Sequence, residues 1–252
     1  GKLLWSRQLT QNDAYNNGCS APPFTNCPKA KGPDFDFGQP PILVKLGRHR
    51  RVLVIAQKSG LAYGLDPDRK GAVLWQTRVG KGGALGGSQW GSAADGKRVY
   101  VAVSDLGIGA VADKKAPQGY RLVLDPKQGG GLAALDSKTG KIRWQVKPPP
   151  CAAGRTDCSP AQSAAVSVIP GAVFSGSVDG HLRAYSTKTG AVLWDVDTAR
   201  QYETVNGKPG HGGSLDAAGP AIVGGRVFVN SGYGQWGGMP GNVLLAFSVD
   251  GE

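Results

Sequence analysis

Short apolar runs alternate with polar, glycine-bearing turns along the whole chain. Val52-Leu53-Val54-Ile55-Ala56, Val99-Tyr100-Val101-Ala102-Val103, Ala172-Val173-Phe174 and Val227-Phe228-Val229 are rich in β-branched and aromatic residues. Runs this short, flanked by turn residues, predict strands rather than buried helices. Three segments then end alike: Leu65-Asp66-Pro67-Asp68-Arg69-Lys70-Gly71-Ala72-Val73-Leu74-Trp75, Leu135-Asp136-Ser137-Lys138-Thr139-Gly140-Lys141-Ile142-Arg143-Trp144, and Tyr185-Ser186-Thr187-Lys188-Thr189-Gly190-Ala191-Val192-Leu193-Trp194. Upstream of each lies a further strand, at 51–56, 98–103 and 172–175. A fourth copy opens at 226–230 and continues through 243–248. Each unit reads as strand, turn, strand, polar turn, strand ending in Trp. The Gly of the polar turn accepts positive φ without steric cost, as a hairpin needs.

A single meander cannot bury both of its faces, so such units must stack. Four-stranded blades set radially do this and shield their edges, which predicts an all-β β-propeller. In that arrangement Trp5, Trp75, Trp144 and Trp194 wedge between blades and have no catalytic part. Their spacings are 70, 69 and 50 residues, with long insertions at 11–33 and 105–130. The chain opens on the tail of a unit, Gly1-Lys2-Leu3-Leu4-Trp5, and ends on the turn before the next tail. The expectation is one partial β-propeller domain over residues 1–252, about four blades, whose partner is a missing N-terminal half.

Composition supports this picture, with 40 glycines, one methionine and 19% charged residues. The net charge of +11 invites a nucleic-acid reading. The basic residues are scattered, however, in pieces such as Arg48-His49-Arg50-Arg51, with no basic stripe interleaved with aromatics, so no nucleic-acid partner is expected. A solubilising surface, or one attracting an acidic redox partner, fits better. No apolar run has the length of a membrane span. The four cysteines fall in two close pairs, Cys19/Cys27 and Cys151/Cys158. Two local disulfides and an oxidising, periplasmic or secreted location are expected. The alternative, a zinc site built from all four, has poor spacing and no His nearby.

More specific matches accumulate in order. Pro33-Asp34-Phe35-Asp36 is followed by Gln57-Lys58-Ser59-Gly60 and a Leu-Asp-Pro turn. Phe174-Ser175-Gly176-Ser177-Val178-Asp179-Gly180-His181-Leu182 comes later, then Gly234-Gln235-Trp236-Gly237-Gly238-Met239-Pro240-Gly241-Asn242. Together with the Ala/Gly-x-Asp-x-x-Thr-Gly-x-x-x-Trp repeat, this order resembles the pyrroloquinoline-quinone (PQQ)-dependent quinoprotein alcohol dehydrogenases. The Gly-Pro-Asp-Phe-Asp-Phe-Gly-Gln-Pro-Pro run and the Cys pairs bring it nearest to their polyvinyl-alcohol dehydrogenase branch. The resemblance covers essentially the whole chain and implies the C-terminal half of an eight-bladed ring with Trp-docking repeats.

It also implies a chemistry. Oxidising an alcohol needs a base for the hydroxyl proton and an acceptor for the hydride, and no side chain accepts hydride. The resemblance supplies PQQ as that acceptor, with Ca2+ (or a lanthanide) held against it and cytochrome c as the electron acceptor beyond. By position in the motif Asp34 is the expected base, Asp36 the metal ligand, and Lys58 the cation that contacts the quinone and stabilises charge developing on it. Gln89, Trp90, Gln162, Gln235 and Trp236 are candidate cofactor contacts through amide hydrogen bonds and stacking. The bland readings are turn capping for the Asp-x-Asp, a solvated hairpin for Lys58 and loop packing for the rest. The family's floor Trp is absent near Gln162 and Ser163. Its remaining Glu and Asn metal ligands and its disulfide of adjacent cysteines belong to the first half of the ring, and no Cys-x-x-Cys-His for heme occurs here. The fragment alone is therefore expected to bind cofactor poorly and not to turn over. The main rival is a non-catalytic propeller scaffold of the outer-membrane assembly type, which binds protein partners and no quinone. A carbohydrate-binding propeller is a third reading, with no dedicated motif behind it.

Overall fold

The computed structural model describes residues 1–20, 23–152 and 154–250. It is an all-β chain, with three single 3-10 turns at Asn17–Cys19, Pro67–Arg69 and Gln235–Gly237 as its helical elements among the described residues. The first unit is a four-stranded antiparallel meander of β1 (Ile42–Lys45), β2 (Arg51–Ala56), β3 (Leu61–Asp66) and β4 (Ala72–Arg78). The second contains β5 (Ala93–Ala94) and β6 (Arg98–Ala102), is interrupted by a hairpin of β7 (Ile108–Ala112) and β8 (Tyr120–Leu124), and closes with β9 (Leu132–Asp136) and β10 (Ile142–Val146). The third runs from β11 (Ser167–Ile169) through β12 (Ala172–Gly176) and β13 (His181–Ser186) to β14 (Val192–Asp197). After a small hairpin of β15 (Gln201–Glu203) and β16 (Pro209–His211), the fourth sheet has three strands, β17 (Ala221–Val223), β18 (Arg226–Ser231) and β19 (Val243–Ser248). The strands read from the sequence are thus found in place, and the insertion at 105–130 proves to hold a hairpin of its own.

The sheets stack in chain order. Val52, Val54, Ala62 and Trp75 of the first meet Val99, Val101, Ala133 and Leu135 of the second in one buried cluster. Tyr100, Leu132 and Ala134 of the second meet Val173 and Tyr185 of the third. Leu182 and Trp194 of the third meet Val229 and Phe247 of the fourth. The second and third sheets are covered on both faces, which is why their inner strands read as near-continuous apolar runs.

The tryptophans that end the units contact the next unit. Trp5 Nε1 donates to Pro67 O at 3.2 Å, Trp75 Nε1 to Ser137 O at 3.2 Å, and Trp144 Nε1 to Thr187 O at 3.1 Å. The indoles of Trp5, Trp75 and Trp144 lie over Gly71, Gly140 and Gly190, where a Cβ would collide with the ring. These glycines are also at positive φ, between 67° and 75°, so both the turn and the stacking call for glycine. Trp194 instead packs edge-on to Phe174 and Phe247, with centroids 6.4 and 5.1 Å away.

Cys19 is bonded to Cys27 and Cys151 to Cys158, which removes the zinc alternative. No described helix is long and apolar enough to cross a membrane.

Candidate active site

The turn after the second strand of the first unit carries Lys58. In the first unit β2 ends at Ala56, and Gln57-Lys58-Ser59-Gly60 turns the chain into β3. Gln57 N donates to Leu61 O and Gly60 N to Gln57 O, with Gly60 at φ 79°. Below the turn, Gln57 is buried and its Oε1 accepts from Ser59 Oγ at 2.7 Å and Thr10 Oγ1 at 3.2 Å. Lys58 is left at the rim, its side chain 14% exposed.

Asp34 and Asp36 approach this lysine from a loop without secondary structure. Lys58 Nζ donates to Asp36 Oδ2 at 2.8 Å and Asp34 Oδ2 at 3.3 Å. The two carboxylates do not reach it by strand alternation, because Asp34 is left-handed, at φ 65°. Lys58 N also donates to Asp36 O at 3.1 Å, tying the loop to the turn through the backbone. Asp34 is half-buried, with 17% of its side chain exposed, whereas Asp36 is open at 61%. Burial raises the Asp34 pKa above the usual 3.8; the Lys58 charge opposes this, and the neighbouring Asp36 adds to it. Burial would lower the Lys58 pKa, but the two carboxylates outweigh it and raise the value. The lysine is a firm cation, and Asp34 holds a proton more readily than an ordinary aspartate.

A glycine-rich loop, 79–92, passes behind Lys58. Gly83 N donates to Lys58 O and Ser88 N to Gln57 O, and a Cβ on Gly87 would strike both carbonyls. Asp105 holds this loop: its carboxylate accepts from the amides of Lys81, Gly82 and Gly87 at 2.7, 3.0 and 2.9 Å. The loop then delivers Gln89 and Trp90. Gln89 is buried, and its Nε2 donates to Gly86 O at 2.6 Å. Trp90 remains part-exposed, and its indole donates to Asp216 Oδ1 at 2.9 Å. Burial raises the Asp216 pKa, against hydrogen bonds from Ser163, the Ala217 amide and Trp90. Trp236, at φ 55° in the Gln235–Gly237 turn, joins Gln89, Trp90, Ser163 and Asp216 around one small pocket.

Most of the residues singled out in the sequence therefore meet in two adjoining groups: Asp34, Asp36 and Lys58, and Gln89, Trp90 and Trp236. Gln235 is exposed beside the second group. Gln162 is not part of either. It is fully buried, its Nε2 donating to Tyr185 Oη at 2.5 Å and its Oε1 accepting from Ser175 Oγ at 2.7 Å. With both ends of its amide engaged inside the third unit, it has a packing role rather than the expected cofactor contact. Nothing in the sequence points to Asp13 or Asp105; a lone Asp in a loop carries no signal of the amides it will meet. Among the described residues no three His, Cys, Asp or Glu side chains cluster to hold a metal.

The fold and this site define a repeat protein of the quinoprotein type. The chain belongs to the PQQ_2 family, described as "Outer membrane protein assembly factor BamB", whose model matches residues 1–249. Over its whole length it is 44% identical to a polyvinylalcohol dehydrogenase of Pseudomonas sp, of which it covers 38%. The chain thus spans about two fifths of that curated relative's length. Among solved structures, a europium-containing methanol dehydrogenase superposes on 79% of this chain and 40% of its own (TM-score 0.54, 20% identity). BamB from Moraxella catarrhalis superposes on 85% of this chain and 51% of its own (TM-score 0.52, 19% identity). A dehydrogenase and an assembly factor share the fold, so the fold does not choose between them.

Proposed function

We propose that this chain is the site-bearing C-terminal part of a periplasmic or secreted PQQ-dependent alcohol dehydrogenase, half of an eight-bladed ring, acting on an alcohol such as polyvinyl alcohol. The observation that carries this is the half-buried Lys58 with Asp34 and Asp36 converging on its ammonium. A scaffold that only binds protein partners gains nothing from desolvating an aspartate against a lysine at the end of a sheet. The full-length identity to a polyvinylalcohol dehydrogenase supports the same choice.

The donor set suits a planar, anionic quinone. Lys58 offers a cation, Gln89 and Gln235 offer amides, and Trp90 and Trp236 offer aromatic faces. When bound, the quinone supplies the acceptor for the substrate hydride. Asp34 takes the hydroxyl proton: its raised pKa moves it toward neutrality, where a carboxylate is a better base. Lys58 stabilises negative charge that develops beside it, and the buried stem of the turn keeps the ammonium in place. Asp36, the more exposed carboxylate, is the metal ligand this chain would offer to Ca2+ or a lanthanide. One aspartate is too few for a Ca2+ site, which takes six to eight oxygens, so the other ligands would come from elsewhere in the ring. Electrons leave to a cytochrome c, for which the basic surface (+11) suits an acidic face.

The test is dye reduction with an alcohol after adding PQQ and Ca2+. The full-length protein is expected to reduce the dye and the isolated 252-residue chain to be inactive. Asp34→Asn in the full-length protein should remove activity with the fold intact. An active Asp34→Asn enzyme would refute the assignment of the base.

A further inference from the structure

We infer that Asp13, in the insertion ahead of the first unit, is the positioning residue that holds Asp34 against Lys58; this rests on Asp34 acting as the base. Asp13 Oδ1 accepts from Asp34 N at 3.1 Å, and Oδ2 accepts from Phe35 N at 2.7 Å. Two consecutive amides thus converge on one carboxylate, the geometry by which a backbone concavity binds an anion. One of the two residues whose amides form that concavity is the candidate base itself, at φ 65°. A non-glycine residue persists there only when its surroundings over-determine it.

The approach of Asp13 is built in from its own side. Gly32 has φ 68°, and a Cβ there would run into the Asp13 Cα and carboxylate. Ala14 N donates to Ala30 O at 3.1 Å, closing the insertion just beyond this contact, and the Cys19–Cys27 disulfide ties the same loop further out. The insertion therefore leaves at Asp13 and returns at Gly32 to one spot, and what it presents there is a carboxylate aimed at the amides of the Asp34 turn. Through that turn Asp13 sets the distance from Asp34 to Lys58.

Asp13→Asn in the full-length protein is the test. It keeps the shape but puts an NH2 against one of the two amides, so a donor faces a donor. Two readouts are taken. The first, in quinone-free protein, is the rate at which acetic anhydride acetylates Lys58, followed by mass spectrometry. The second is kcat and KM for an alcohol in the reconstituted enzyme. Asp13→Asn should bring Lys58 labelling close to the rate seen in Asp34→Asn. It should lower kcat by about tenfold or more, as an ångström-scale displacement of a catalytic group does, and leave KM little changed. Lys58 labelling and kcat unchanged from wild type would overturn the inference. If Asp34→Asn itself keeps full activity, the base assignment fails, while the labelling still decides whether Asp13 places Asp34. Should Asp13→Asn not fold, Asp13→Glu keeps the charge but moves it by one methylene. Wild-type labelling and kcat in that variant would equally overturn the inference.

Discussion

The first and third units use the same hairpin for opposite ends. Gln57-Lys58-Ser59-Gly60 and Ser177-Val178-Asp179-Gly180 superimpose by their hydrogen bonds: Gln57 N to Leu61 O matches Ser177 N to His181 O, and Gly60 N to Gln57 O matches Gly180 N to Ser177 O. Lys58 in one therefore stands where Val178 stands in the other. Val178 is 3% exposed and packs with Leu124 and Ala161. The third unit keeps its charges underneath: Arg183, 3% exposed, donates to Asp179 Oδ2 at 2.9 Å, Asp195 Oδ2 at 3.0 Å and Ser177 Oγ at 2.8 Å. His181 Nδ1 closes the set with Asp195 Oδ1 at 2.6 Å. That cluster satisfies itself within one sheet. The first unit instead raises its cation to the rim and meets carboxylates from a separate loop. Turns with the same hydrogen bonds thus hold a structural ion network in one place and a candidate reactive group in the other, and the side chains they carry and the loop that meets them make the difference.

Breaking each half of this contrast should give unlike phenotypes. Lys58→Met in the full-length protein should lower kcat about 100-fold or more, the usual consequence of losing a charge-stabilising group, with little change in the melting temperature. Equal losses of activity and stability would mean Lys58 is structural. Arg183→Met should do the reverse. It strands Asp179, and removing one partner of a buried ion pair costs about 3–5 kcal/mol, to be read from chemical denaturation.

The polar turns extend the contrast to pH. In the second unit Asp136 accepts from Arg143 at 2.5 Å and from the Thr139 amide at 2.9 Å, and Arg143 above all lowers its pKa to about 2. Its folded pKa lies below the unfolded value, so its stabilisation is present above the unfolded pKa and lost as pH falls through about 2. Asp136→Asn should cost on the order of 1–2 kcal/mol near neutrality, and the deficit should vanish in acid. Asp34 carries the opposite sign. Its folded pKa is raised, so its contribution is whole below the unfolded value and is lost as pH rises through the folded one. Asp34→Asn should therefore leave stability unchanged or slightly increased at neutral pH, the smallest effect of the set, measured by denaturation at matched pH. A clear loss of stability would show that the pair with Lys58 holds the fold together.

The sheets were readable because their rules are local. Apolar runs, a turn glycine and a terminal Trp recur at fixed offsets, and the indoles then fall on Gly71, Gly140 and Gly190 of the following units. Cysteines seven and eight residues apart leave a short list of partners, and they pair as their spacing indicates. Asp34, Asp36 and Lys58 could be picked out because a motif keeps them in order, although nothing in that motif shows that Asp34 would adopt a left-handed backbone.

What the chain determined by itself is the set of strands, their turns and which residue types stand at each turn, since these follow from side-chain volume and backbone freedom within a few neighbours. Which carboxylates meet which amides was decided only in three dimensions. Asp13 finds the Asp34 amide across 21 positions and Asp216 finds Trp90 across 126, while Gln162, attractive in sequence, turns inward to Tyr185. A hydrogen bond between a loop side chain and a distant partner has no period and no propensity. It exists because stacking the sheets removes water from both groups and leaves each as the other's available partner.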